Sequence, residues 1–227
     1  MKNPFSNLRE RLYQRFVHKF YARDLLLGLQ LQARRETLDY INANMRNCLI
    51  CRNRRTLFEY ALGHAGRDGV VAEFGVARGD SIRLLAGLTR ATVHGFDSFL
   101  GLPEDWAGTT EKRGAFAGRP RRLPGNVKIH EGMFSKTLPA FLDKHDQPMR
   151  FMHVDCDLYA SARNVFDLLK PRIEPGTVIV FDEYFNYPNW QEHEFKAFQE
   201  YIGEESRSYE YLAFCARGGS VAIRITA

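Results

Sequence analysis

The stretch His153-Val154-Asp155-Cys156-Asp157-Leu158-Tyr159 decides how this chain is read. The apolar run from Phe151 to Val154 leads into it and stops at two carboxylates two residues apart. A second apolar run, Thr177 to Phe181, stops in the same way at Asp182-Glu183-Tyr184. If the two runs are neighbouring parallel strands, four acids crowd one edge of a sheet. Like charges held that close are costly unless a cation or a shared proton relieves them. The expectation is a divalent-metal site beside a cofactor pocket.

Working outward, short apolar runs alternate with helical ones from residue 70 onward. Strands are expected at Val70–Phe74, Thr92–Phe96, Val127–His130, Phe151–Val154 and Thr177–Phe181. Helices are expected at Asp80–Thr89, Lys136–Lys144, Ala160–Leu169 and Gln191–Tyr201. Repeated strand–helix units imply an α/β fold, a mostly parallel sheet with helices on both faces. Tyr209–Phe214, the Gly218-Gly219 turn and Val221–Ile225 read as an antiparallel terminal hairpin. The long connection from Gly101 to Asn126, which carries Pro103, Pro120 and Pro124, has the length of a lid loop.

The glycine turn after the first of these strands, Glu73-Phe74-Gly75-Val76-Ala77-Arg78-Gly79-Asp80-Ser81, lacks the nicotinamide fingerprint G-x-G-x-x-G. Gly75 and Gly79 let a ligand approach the backbone, and the following helix N-terminus would face it. Glu73 at the strand end would repel a pyrophosphate and suit a cationic amino-acid moiety. Asp97 ends the next strand, 22 residues after Gly75, where an acid can accept hydrogen bonds from ribose hydroxyls. A plainer role for Asp97 and Ser98 is to cap a turn. Together, Glu73 and Asp97 point to an adenosine-type ligand without a diphosphate, which S-adenosylmethionine fits best. In an open parallel sheet such a ligand binds beyond the strand ends, where strand order reverses, next to Asp155. There Asp155, Asp182 and one of Asp157 or Glu183 offer the hard oxygen ligands that suit Mg²⁺. Asp157 and His153 are the candidate bases, and His130 is a candidate wall or capping residue. Tyr159, Tyr184, Phe185, Tyr187 and Trp190 could offer aromatic faces to a sugar or flat ring. Lys112, Arg113, Arg119, Arg121 and Arg122 could meet an anionic group or simply solvate the lid.

Composition sets the bounds. The 227 residues, 44% apolar and 26% charged, suit a soluble single domain with an extension. No secretory signal or membrane-length apolar run is evident, and Cys48, Cys51, Cys156 and Cys215 are too few and irregular for a disulfide framework, so a cytoplasmic setting is the default. The pair Cys48 and Cys51 is expected on a helix. The net charge of +5 is uneven: residues 1–55 hold 12 Lys and Arg against 4 Asp and Glu, the rest 20 against 23. A nucleic-acid partner is therefore not expected of the body of the chain. Phe5, Leu8, Leu12, Phe16 and Phe20 recur at helical steps among Arg9, Arg11, Arg15 and Lys19. Residues 1–62 thus read as a helical extension that packs on its own domain or a second subunit, making a homo-oligomer, or makes weak contact with an acidic membrane surface.

In this order, VAEFGVARGDSIRLL, FDSFLGLPEDW, IHEGMFSKTLPAF, HVDCDLYASARNVFDLL and PGTVIVFDEY resemble the macrocin O-methyltransferase-like family over about residues 70 to 200. The resemblance implies a Rossmann-like class I methyltransferase at residues 63–227, with a seven-stranded, mostly parallel sheet and the lid at about 101–126. It implies S-adenosylmethionine- and Mg²⁺-dependent methylation of a hydroxyl on a sugar or glycosylated natural product. Carried over by position, Asp155, Asp182 and Glu183 resemble the metal ligands and Asp157 the general base. Glu73, Phe74, Gly75, Gly79, Ser81, Asp97, Ser98 and Asp155 resemble the cofactor contacts, with Gly132 and Met133 shaping the adenine pocket. The chain departs from the family in having Asp182-Glu183 where two adjacent aspartates are usual. A catechol-type O-methyltransferase and a non-catalytic cofactor-binding partner are the alternatives.

Overall fold

The computed structural model describes residues 4–227. The N-terminal third comprises α1 (Pro4–Phe16), a π-helical turn at Val17–Tyr21, α2 (Leu25–Asn44), β1 (Leu49–Cys51) and α3 (Arg54–His64). Alternation then sets in with β2 (Val70–Phe74), α4 (Asp80–Leu88), β3 (Val93–Asp97), β4 (Val127–Glu131) and α5 (Phe134–Leu142). It continues with β5 (Met149–Val154), α6 (Tyr159–Leu169), β6 (Val178–Phe181), α7 (Glu194–Glu204), β7 (Tyr209–Cys215) and β8 (Val221–Ile225).

The described strands form one sheet in the order β1-β7-β8-β6-β5-β2-β3-β4. Strands β4, β3, β2, β5 and β6 run parallel, β8 is antiparallel to both β6 and β7, and β1 pairs parallel with β7. Every residue of β2 and β6 is buried, as expected for central strands covered on both faces; β6 is apolar throughout, and β2 is interrupted only by Glu73. Strand order reverses between β2 and β5, so their C-terminal ends open onto the crevice where ligands bind in such sheets. The α/β architecture with an antiparallel terminal hairpin agrees with the sequence reading, but the strand count is eight rather than seven.

The additional strand is β1, drawn from a stretch expected to be helical. Its pairing Leu49↔Ala213 to Cys51↔Cys215 covers the backbone groups of β7 that would otherwise form an open sheet edge. Tertiary hydrogen bonding overrides local pattern here, and it ends the helical segment at Asn44. The facing Cys51 and Cys215 are free thiols, as are Cys48 and Cys156.

Alternation of side chains gives each sheet face its own core. On one face Leu57, Phe58 and Ala61 of α3 and Ile82 and Leu85 of α4 pack against Val71, Phe151, Val178 and Val180. On the other, Leu138 and Phe141 of α5, Phe166 of α6 and Phe198 and Tyr201 of α7 cover Phe74, Met152, Val154 and Phe181. Helix α3 starts firmly because Asn53 Oδ1 accepts the Thr56 N–H while the Thr56 hydroxyl is paired with the Asn53 backbone, a reciprocal cap. In α1 the side chains Leu8, Leu12, Tyr13 and Phe16 are more than half exposed. The Phe5 and Phe20 side chains of that stripe lie outside the described residues. No described helix is long and apolar enough to cross a membrane.

One backbone approach ties the two central loops together. Gly75 has φ +95°, and a Cβ there would overlap the carbonyl oxygen of Asp155. Gly75→Ala therefore adds left-handed strain and a backbone clash. It is expected to lower unfolding free energy by about 2–5 kcal/mol, measured by urea denaturation; an unchanged midpoint would show that the two loops are not so closely packed.

Candidate functional site

Three strand ends converge. Backbone hydrogen bonding continues past them, with Gly75 N–H donating to Phe96 O, Asp155 N–H to Phe74 O and Asp182 N–H to Val154 O, each at 2.9 Å. This fixes Asp155 and Asp182 side by side at the ends of β5 and β6. Asp182 accepts from the Arg54 guanidinium at 2.5 Å and from the Ser220 hydroxyl at 3.0 Å. Burial holds the Asp155 carboxyl well above the usual carboxylate range, and the charges of Asp182, Asp157 and Glu73 push it the same way, with Arg54 opposing. Burial likewise raises Glu183 to about 8, helped by Asp182 and Asp157. The charge problem read from the sequence is present, and Arg54 meets part of it.

Beneath the edge lies a buried relay. Glu73 is fully buried, with Ser81 Oγ donating to its Oε1 and His153 Nδ1 paired with its Oε2, both at 3.0 Å. Burial raises the Glu73 pKa, and the hydrogen bonds to His153 and Ser81 oppose the rise. Both Glu73 oxygens are thus engaged within the protein. Phe74 points to the opposite face, stacked on Phe96 at 5.4 Å.

The glycine turn, Asp97 and Ser98, Gly132 and Met133, and Asp155 and Asp157 line one cleft. Asp97 organises its floor: Oδ2 accepts the N–H groups of Val76 and Ala77 and Oδ1 that of Phe99, all at 2.7 Å. Gly79 and Ser81 border an adjoining concavity shared with Arg54 and Asp155. Asp182 and Glu183 face a third, which Arg52, Arg54 and Arg217 also line. Arg54 therefore stands between the last two openings.

Asp157 projects into the cleft from a left-handed backbone, φ +64°. That conformation costs a non-glycine residue about 1–3 kcal/mol and persists only where neighbours enforce it. The enforcing group is Glu194, fully buried at the start of α7, whose Oε1 accepts the N–H groups of both Cys156 and Asp157 at 3.0 Å. Burial raises the Asp157 pKa to about 7, with the charges of Asp182, Asp97 and Glu111 adding. The lid is docked: Trp106 packs edge-on against Tyr187 at 5.3 Å, and His193 Nε2 bonds Ala107 O at 2.9 Å.

Other expectations meet a different structure. Tyr184, Phe185, Tyr187 and Trp190 are buried in the core, where they satisfy packing instead of offering faces to a ligand. Tyr159 donates its hydroxyl to Glu200 at 2.6 Å. His130 stacks on Phe96 at 4.5 Å and bonds His94 at 3.0 Å, and it is not among the residues that line the cleft. The lid cations are exposed, and Arg119 pairs with Glu131. The sequence reading missed Arg54, whose capped helix start at Asn53 was a usable signal, and Glu194, for which the sequence held none. It also missed Phe116 and Ser161, which line the cleft.

The raised acids make stability depend on pH. Between the ordinary carboxylate range, about 4, and the values near 7 and 8 at Asp157 and Glu183, the folded chain binds more protons than the unfolded one. Their contribution is full below that window and is lost as pH rises through it. In chelator, the thermal midpoint is expected to fall from pH 5 to pH 8.5, and Glu183→Gln to flatten the fall. A midpoint that rises over this range would contradict the electrostatics described.

Residues 72–184 match a family described as a methyltransferase domain. No curated protein matches the sequence significantly. Among solved structures, the calicheamicin methyltransferase CalS11 superposes with a TM-score of 0.59 at 20% identity, covering 99% of this chain and 94% of that one. The O-methyltransferase NovP superposes with a TM-score of 0.59 at 23% identity, over 76% and 78% of the two chains. TomG from Streptomyces achromogenes, an O-methyltransferase involved in tomaymycin synthesis and solved with S-adenosylmethionine, gives 0.50 at 16% identity, over 93% and 94%. At these identities the likeness speaks to the fold. The family match and the sheet order, with its reversed β8 between β6 and β7, agree: the chain belongs to the methyltransferase domain family and has the class I methyltransferase fold.

Proposed function

We propose that this methyltransferase transfers a methyl group from S-adenosylmethionine to a hydroxyl of a sugar-containing small molecule, assisted by a divalent cation, Mg²⁺ in the sequence reading. The observation that carries the proposal is convergence: Asp155 and Asp157 line the same cleft as the glycine turn, Asp97 and Ser98. CalS11, NovP and TomG, described as methyltransferases of calicheamicin or tomaymycin chemistry or as an O-methyltransferase, support the reaction class.

The residues suit both groups. The cleft is lined by the apolar side chains of Leu102, Met133 and Phe134 together with the polar groups of Asp97 and Ser98, the mixture of apolar wall and few polar groups usual in small-molecule sites. Gly75, Asp97, Ser98, Gly132 and Met133 are the residues that would hold the cofactor, while Glu73 and Ser81 support the turn from behind. For the cation, Asp155 and Asp182 supply buried, crowded carboxylates whose mutual repulsion a divalent ion would relieve. Glu183, with Oε2 against Gly219, was the third ligand expected from sequence. Bound there, the cation would supply Lewis acidity to neighbouring substrate oxygens. S-adenosylmethionine would supply an electrophilic methyl group already activated by its sulfonium.

What remains for the chain is to orient the acceptor and take its proton. Asp157, held by Glu194 with a pKa near 7, has the proton affinity of an effective general base at neutral pH. His153 cannot serve as readily, because it is wholly buried beneath the edge. The docked lid, with Trp106 seated on Tyr187 and His193, closes one side against water. The exposed apolar side chains of α1 suit contact with a second copy of the chain, and the adjacent arginines an acidic membrane surface.

The test is methyl transfer from labelled S-adenosylmethionine to a panel of sugar-containing acceptors. Turnover is expected to vanish in chelator and return with added divalent cation. Asp157→Asn should lower kcat by about 10²–10⁴ with cofactor affinity unchanged, since asparagine tolerates the left-handed backbone. Absence of S-adenosylmethionine binding by calorimetry would overturn the reading, and chelator-indifferent turnover would remove the cation from it.

A further inference from the structure

His153 has one ring nitrogen engaged and one free. Nδ1 is paired with Glu73 Oε2, and neither side chain has any solvent exposure. Nε2 is buried with no hydrogen-bond partner. An unpaired polar atom in the interior forfeits its hydration, so native structures rarely leave one without a reason. The ring is fixed: Phe58 packs edge-on against it at 4.8 Å. Strand register then sets its neighbours. His153 and Asp155 lie two residues apart on one face of the sheet, and the pairing His153↔Val180 brings Asp182 to the same face. A ring nitrogen of His153 and one carboxylate oxygen each of Asp155 and Asp182 all lie within 4.8 Å of one another.

Resting on the cation-assisted reading above, we propose that His153 Nε2 is the third protein ligand beside Asp155 and Asp182. Glu73 orients the imidazole through Nδ1, and the site prefers a transition-type divalent ion such as Mn²⁺ over Mg²⁺. Three features support this. A carboxylate on the far nitrogen of a ligating histidine fixes its tautomer and raises its basicity, and Glu73 stands in that position. One imidazole with two carboxylates is a mixed donor set, whereas Mg²⁺ takes oxygen ligands and keeps its waters. Glu183 is not part of the three-residue cluster and faces the Gly219 turn. Arg54 is then a counter-ion that releases Asp182 Oδ2 when the ion enters, so ion and guanidinium compete for one oxygen.

Pulsed electron paramagnetic resonance of Mn²⁺ bound to the full chain tests this directly. The expected result is one bound ion with a nitrogen coupling that changes in protein carrying ¹⁵N-labelled histidine. In competition Mn²⁺ should bind roughly tenfold or more tightly than Mg²⁺. His153→Gln should abolish the coupling and most of the preference, and Glu73→Gln should weaken Mn²⁺ binding about 10–100-fold. Bound Mn²⁺ without histidine coupling, equal affinity for the two ions, or no bound Mn²⁺ would overturn the proposal. The labelled native protein carries the decisive measurement, so it stands even if His153→Gln does not fold. Calorimetry with S-adenosylmethionine on the same samples separates the two ideas: cofactor binding without histidine coupling removes this ligand assignment and leaves methyl transfer intact.

Discussion

Five carboxyl groups, those of Glu73, Asp155, Asp157, Asp182 and Glu183, meet where β2, β5 and β6 end, and the structure is arranged to make that tolerable. Each is raised, paired or both: Glu73 by burial against His153 and Ser81, Asp182 by pairing with Arg54 and Ser220. A sheet has no intrinsic need for acids at these positions, and apolar residues would pack there with less penalty. Crowding of this kind raises the affinity of the folded chain for positive charge, whether a proton or a cation.

The surrounding elements follow from that requirement. Helix α3 must dock on β6, β7 and β8 to deliver Arg54, and its Asn53–Thr56 cap fixes where the arginine emerges. Strand β1 ties the preceding segment to β7, so the chain enters α3 from the sheet edge. On the other side, α7 begins with a buried acid, Glu194, whose oxygen holds the backbone of Cys156 and Asp157 in place. The two aspartates of the Asp155-Cys156-Asp157 turn thus have separate supports, Asp155 N–H on Phe74 O and Asp157 N–H on Glu194. The same segment between β6 and α7 seats the lid, because Tyr187, Pro188 and His193 receive Trp106, Gly108 and Ala107.

How much of this was legible depended on whether a residue's state was set locally. The central strands were, since both faces are covered and each run ends where a carboxylate begins; Val70–Phe74 and Val221–Ile225 have the boundaries expected. The glycine turn and Asp97 were legible as a turn and an acidic strand end, and they share one cleft with Asp155 and Asp157. Residues 49–51 were not, because three residues become a strand only through the waiting edge of β7. Arg54 lies in the basic stretch of residues 1–55, and only tertiary docking turns it toward Asp182. Tyr184 and Trp190 were ambiguous for the opposite reason: an aromatic residue beside a strand end serves packing and binding equally well, and here packing wins. Glu183 was legible as an acid at the edge, but the turn at Gly219 that its carboxylate faces was not.

On the proposed reading the methyl donor and the cation meet at Asp155, which lines both the cleft and the concavity it shares with Arg54. A crystal grown with S-adenosylhomocysteine and Mn²⁺ tests it most directly. The account predicts ligand density between the Gly75 turn and Asp97, and an anomalous peak within bonding distance of Asp155 and Asp182. Nucleoside density outside that cleft, or Mn²⁺ bound only away from both aspartates, would contradict it.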